Sequence, residues 1–217
     1  MTVVVFLHAF PLDERMWDLD DHVPRLYNLG RSMDEWADAV LESHPGRLIL
    51  VGASMGGYAA LAAARRAPER LAGLLLAGSR PEADTPERYA KRAETIAIAR
   101  ERGAAGVWEA MRATLFDGDS DPDVVARARE LALDRTEDEL VTALQAIRDR
   151  PDSTEAYRAL GDRAFTVVGD RDPFVPVEDA KRFEPQAVVL SGCGHLPSLE
   201  RPAEFGRVLD DVLARWT

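Results

Sequence analysis

The sequence predicts an α/β fold: about six mostly parallel strands flanked by helices, with a helical insertion in the middle of the chain. Three observations predict it. Short, continuous runs rich in Val, Leu and Ile stand at Val3–Leu7, Leu48–Val51, Leu71–Ala77, Phe165–Val168 and Ala187–Leu190. Continuous apolar runs suit strands covered on both faces, as in a parallel sheet, whereas a half-exposed strand alternates. Helical patterns separate the runs, which is the α/β texture. From about Ser79 to Leu160 the alternation stops and only helical segments follow.

Each element has its own reason. The first apolar run breaks at His8 and has no basic segment ahead of it, so it reads as a strand and not as a secretion leader. Nowhere is there a run of about 18 apolar residues for a membrane span. A weaker sixth strand is expected near His22–Pro24. Ser32 with Glu35 makes a capping box ahead of Met33, Trp36, Ala37, Val40 and Leu41, which share one helical face. The second strand runs into Gly52-Ala53-Ser54-Met55-Gly56 and then an Ala-rich helix through Ala59–Ala64. In the insertion, Thr85-Pro86 and Asp121-Pro122 each set an N-cap residue before a proline at the first helical position. Thr136 with Glu139 forms another capping box, ahead of Leu140, Leu144 and Ile147. Phe205, Val208, Leu209, Val212, Leu213 and Trp216 mark a closing helix. The expected organisation is a core of residues 1–78 and 161–217 with a helical lid over residues 79–160.

Composition narrows the function. A chain of 217 residues buries roughly 70% of its unfolded surface and needs no staple. The lone Cys193 excludes an intrachain disulfide framework and a multi-cysteine metal site. His8, His22, His44 and His195 show no metal-ligand spacing, so neither a metal nor another cofactor is expected. Acidic residues outnumber basic ones 38 to 27, a formal charge of -11 that repels phosphate backbones and anionic lipid. The expected partner is therefore a small molecule, with no nucleic acid and no membrane, for a monomer or weak dimer in the cytoplasm.

The chemistry centres on Ser54. A strand entering G-x-S-x-G and leaving as a helix forms a corner so sharp that the serine takes a strained backbone, while Gly52 and Gly56 remove Cβ atoms that would collide across it. The hydroxyl then stands at a helix N-terminus, where free amides favour negative charge. An alkyl hydroxyl is a poor nucleophile and needs a base. His195, in the loop after the last apolar run, is the candidate, since open α/β sheets collect their sites at strand C-terminal ends. A carboxylate must orient that imidazole. Gly169-Asp170-Arg171-Asp172 follows another strand; both aspartates are candidates, with Asp172 preferred. Cys193 competes as a nucleophile but has no elbow of its own.

With these motifs in the order Ser54, Asp172, His195, the chain resembles serine hydrolases of the α/β-hydrolase superfamily. It is most similar to compact, cap-bearing carboxylesterases and enol-lactone hydrolases. The resemblance runs from His8-Ala9-Phe10-Pro11 to Gly194-His195. It implies an α/β-hydrolase fold and cleavage of a carboxylic ester, lactone or thioester of a small substrate through an acyl-serine. It also implies an oxyanion hole from the backbone amides of Met55 and Phe10, and a structural His8. Two departures stand out: Ala9 replaces the usual glycine, and the stretch Trp17–Gly30 is short. A substrate pocket is expected from Trp108, Met111, Leu115 and Phe116, an apolar stripe of the lid, with Phe174 and Leu196 beside the acid and base. Arg80 and Lys91 read as a solvated face. The superfamily also holds small-ligand receptors and non-hydrolytic perhydrolases or lyases, and these remain the alternative.

Overall fold

Strands buried on both faces must be flanked by helices, and the five apolar runs obey this. The structure, a computed structural model, describes residues 2–217. In chain order it holds β1 (Thr2–Leu7), α1 (Met33–Ser43), β2 (Arg47–Ala53), α2 (Met55–Arg66), β3 (Leu71–Ala77), α3 (Pro86–Leu115), α4 (Pro122–Leu133), α5 (Glu137–Arg148), α6 (Thr154–Leu160), β4 (Ala164–Gly169), α7 (Val177–Phe183), β5 (Val188–Leu190), α8 (Pro197–Glu200) and α9 (Pro202–Trp216). The strands form one parallel sheet in the order β1-β2-β3-β4-β5. This is the parallel α/β architecture that the sequence predicts.

Successive strand residues point to opposite faces, and both faces are buried along β2 and β3, while the edge strands β1 and β5 are half-buried. Val5, Leu7, Leu48, Leu50, Leu74 and Leu76 pack towards the Ala-rich α2. Ile49, Val51, Leu75, Ala77 and Val167 pack towards Phe205 and Val212 of α9. Fully burying each such side chain contributes roughly 1.5–3 kcal/mol, so the seven-residue β2 and β3 dominate over the three-residue β5. Between β3 and β4, α3 packs against both α4 and α5. The fourth helix of this stretch, α6, packs on α2 and β4 and so belongs to the layer beside the sheet. No helix is long and apolar enough to cross a membrane among the described residues.

Three expectations need correction. The sheet has five strands, not six, because His22–Pro24 does not pair as a strand. One backbone bond joins this stretch to β1, from the Phe6 amide to the His22 carbonyl at 2.9 Å. His22 has φ of 59° and Pro24 has no N–H to give, so a ladder cannot continue. At α1, Ser32 accepts from the Glu35 amide, but the Glu35 carboxylate accepts from Arg31 and not Ser32, so the box is half closed. Arg80 is buried, paired with Glu82 and Asp179, whereas Lys91 is exposed and pairs with Glu94. The other caps form as expected, including the reciprocal box of Thr136 and Glu139. Because all five strands are parallel, their C-terminal loops gather at one sheet edge.

Candidate active site

At the end of β2 the chain turns into α2 within one residue. Ser54 carries that turn at φ 48°, ψ -108°, a conformation costly for a residue with a Cβ. Its amide is held by the Ala77 carbonyl at 2.8 Å, and its own carbonyl accepts from Gly57 N–H at 3.0 Å and Ser79 Oγ at 2.8 Å. The glycines are a steric necessity: a Cβ on Gly52 would lie 2.5 Å from Gly57, and one on Gly56 would lie 2.1 Å from the Leu7 carbonyl oxygen. These bonds hold the strained corner in place.

The structure brings the three candidate residues together. Ser54 Oγ lies 2.8 Å from His195 Nε2, and His195 Nδ1 lies 2.9 Å from Asp172 Oδ2. His195 and Asp172 are buried. The other Asp172 oxygen accepts from the Phe174 and Val175 amides at 2.7 and 3.1 Å. With Nδ1–H donating to the carboxylate, Nε2 is left to accept from the serine hydroxyl. The Phe174 ring lies against the imidazole, centroids 4.5 Å apart. The amides of Met55 and Phe10 donate to no protein acceptor among the described residues.

Asp170 is used elsewhere. Its oxygens accept from the Cys193 amide and Ser191 Oγ, both at 3.2 Å, tying the β4 turn to the β5 loop. Arg171 pairs with Asp117 and Asp119. Cys193 is fully buried, and burial pushes its thiol up to about 12, so it presents no thiolate near neutral pH. His8 is also fully buried: its Nε2 accepts from the Leu26 amide at 3.0 Å and its Nδ1 faces the Ala9 carbonyl at 3.2 Å. Ala9 does not line the cavity at the serine. His22 and His44 face one another, centroids 5.4 Å apart, away from these groups.

That cavity is lined by Phe10, Ser54, Tyr58, Arg92, Met111, Leu115, Ile147, Phe174 and His195. Met111, Leu115 and Phe174 are therefore where the sequence places them. Trp108, Phe116 and Leu196 are not. Trp108 is one helical turn away from Met111 along α3 and joins Phe116, centroids 6.2 Å apart, in lining a groove with Arg112 and Val125. Leu196 is fully buried in the core. Tyr58 and Arg92 carry no expectation from the sequence, and Ile147 is expected there only as part of an apolar helical face. Tyr58 was accessible to such reasoning, since it stands four residues after Ser54 on the same helical face. Arg92 and Ile147 come from distant turns of the insertion, and nothing local marks them for this cavity.

A further carboxylate supports the imidazole loop. Glu200, buried in α8, accepts from the Gly194 and Leu196 amides at 3.1 and 3.0 Å, on either side of His195. It also accepts from the Asp117 amide at 2.9 Å and Ser120 Oγ at 2.6 Å, while the His195 amide donates to the Leu115 carbonyl at 3.2 Å. The loop is thereby fastened to the end of α3. In the sequence Glu200 looks like any helical glutamate, a residue type almost never buried unless paired.

Comparison with known proteins places this geometry in context. The model of the Alpha/beta hydrolase family matches residues 4–208. A pimeloyl-[acyl-carrier protein] methyl ester esterase from Aromatoleum aromaticum is 27% identical over 97% of both chains. A thermophilic esterase from Thermogutta terrifontis, in a malate-bound structure, superposes with a TM-score of 0.90 at 30% identity, covering 100% of this chain and 90% of that one. The enol-lactonase of Burkholderia xenovorans LB400 shares the fold at a TM-score of 0.80 and 19% identity, covering 98% and 90%.

Proposed function

The chain belongs to the alpha/beta hydrolase family, and from that premise we propose that it is a serine hydrolase cleaving the ester bond of a small molecule. The observation that carries this reading is the continuous chain from Ser54 Oγ through His195 to Asp172, with contacts of 2.8 and 2.9 Å. Relatives named as esterases support the bond type.

Ser54 Oγ attacks the ester carbonyl carbon while its proton passes to His195 Nε2, and Asp172 stabilises the imidazolium so formed. The amides of Met55 and Phe10, without protein acceptors, take the developing oxyanion, which is typically worth a few kcal/mol per donor. The alcohol leaves with the proton from Nε2. Water, deprotonated by the same nitrogen, then attacks the acyl-serine and releases the acid.

Access requires movement of the insertion, which acts as a cap. The cavity at Ser54 is about 20 Å3, room for about one water and far less than an ester. Its roof comes from α3 and α5 through Arg92, Met111, Leu115 and Ile147. In this reading the cap is α3–α5, and α6 stays with the core it packs on.

Ser54→Ala tests the assignment with short p-nitrophenyl esters. Turnover should fall by at least about a thousandfold while the circular dichroism spectrum is retained. A variant that keeps the parent rate rules out Ser54 as the nucleophile.

A further inference from the structure

We propose that Arg92 is a recognition residue for a substrate carboxylate, so that the ester cleaved at Ser54 carries a free carboxylate elsewhere in the same molecule. This rests on the serine hydrolase reading and adds the substrate class. The cavity at Ser54 is otherwise apolar or catalytic, and Arg92 is the one arginine or lysine among its lining residues.

The guanidinium is held but not used up. Its side chain is 15% exposed, and Nε donates to Asp84 Oδ2 at 3.2 Å. Among the described residues its two Nη amines donate to no protein acceptor, and neither is sealed from solvent. A guanidinium anchored through Nε presents its remaining planar edge for paired hydrogen bonds, the geometry that a carboxylate matches.

Charge makes the same point. Asp84, itself 1% exposed, also pairs with Arg150 Nη1 at 2.8 Å, so one buried carboxylate faces two guanidinia. Arg150 is 4% exposed and stacks over the ring of Tyr58, another lining residue, at 4.0 Å. Arg92 thus shares its one carboxylate partner with a second guanidinium, in a protein whose formal charge is -11. Arg88, one turn before Arg92, has no carboxylate partner among the described residues and donates to the Phe174 carbonyl at 3.1 Å. Burial, followed by the nearby Arg80, holds its pKa below the usual arginine value. One free planar guanidinium edge in a narrow, largely apolar space matches a flat carboxylate better than a bulkier tetrahedral phosphate.

The test uses monomethyl succinate, glutarate and adipate. Each is compared with the methyl ester in which a methyl group replaces the far carboxylate. The parent protein should prefer the charged member of at least one pair in kcat/KM. Arg92→Met should reduce that preference by roughly tenfold to a hundredfold, the cost of losing a charged hydrogen-bonded partner, and Arg92→Lys should retain part of it. Arg150 still pairs with Asp84 in both variants, and melting curves report whether each folds. No preference in the parent, or an unaltered ratio in Arg92→Met, overturns the proposal. If the parent hydrolyses neither member of any pair, the esterase reading fails by itself. Calorimetric titration with adipate then tests the subsite alone: weaker binding in Arg92→Met supports it, and absent or equal binding overturns it.

Discussion

At Asp172 the two carboxylate oxygens do different work. Oδ2 faces His195, and Oδ1 is fixed by the Phe174 and Val175 amides, so the side chain cannot rotate away from the imidazole. Asp170, two positions earlier, instead bonds the Cys193 amide and Ser191 hydroxyl, and it is exposed. The two residues therefore separate in a mutational test. Asp172→Asn keeps the shape but replaces an acceptor with an amide, favouring the wrong imidazole tautomer, and should lower kcat by about 10^4-fold. Asp170→Asn should lower it far less. Steady-state kinetics on one short-chain ester check this, and equal losses would remove the distinction between the two aspartates.

Among the elements, α3 decides how the site is roofed. Arg92 and Met111 would stand about 28 Å apart on a straight helix at 1.5 Å per residue, yet both line the same small cavity. The break at Gly103, φ 59° and ψ -155°, resolves this by folding α3 back into two helical segments. A Cβ at Gly103 would meet nothing within 4 Å, so the requirement is conformational and not steric. An alanine there must either adopt a backbone that costs about 1–3 kcal/mol or straighten the helix and pull Arg92 from the cavity. Gly103→Ala should therefore lower the urea-unfolding free energy by about that amount and reduce esterase activity. A variant with unaltered midpoint and rate would show that the break does not need glycine.

For the whole molecule, His8 links stability to pH. It lies fully buried beneath the β1 loop, with Nε2 already accepting from Leu26 N–H. Burial takes its pKa from 6.5 down to about 4, against the opposing pull of the Ala9 carbonyl and Asp13. Above pH 6.5 neither folded nor unfolded chain is protonated there, and His8 makes stability independent of pH. Between 6.5 and 4 only the unfolded chain takes up the proton, so stability falls as pH falls, by up to about 1.4 kcal/mol per pH unit. Denaturation series from pH 7 to 4.5 should show a steeper loss in the parent than in His8→Gln. Parallel curves would mean that the buried imidazole is not the linkage.

By itself the chain determined the sheet and the three residues that meet at Ser54. Five apolar runs specify strands at the right places because a parallel sheet must be dry on both faces, and that demand is written continuously into each segment. Ser54 was legible because its corner needs particular glycines immediately around it, and His195 and Asp172 because they follow strands whose ends share one edge. The stretch at His22–Pro24 misled because local apolarity cannot show whether a neighbour offers a pairing register. What only the tertiary structure decided lies between distant segments: Trp108 and Phe116 drawn into a separate groove with Arg112 and Val125, Arg92 and Ile147 carried to Ser54, Arg80 and Glu200 drawn inside. A side chain's partner there depends on where a helix breaks and which surface it meets, and neither is fixed by the residues within one or two turns of it.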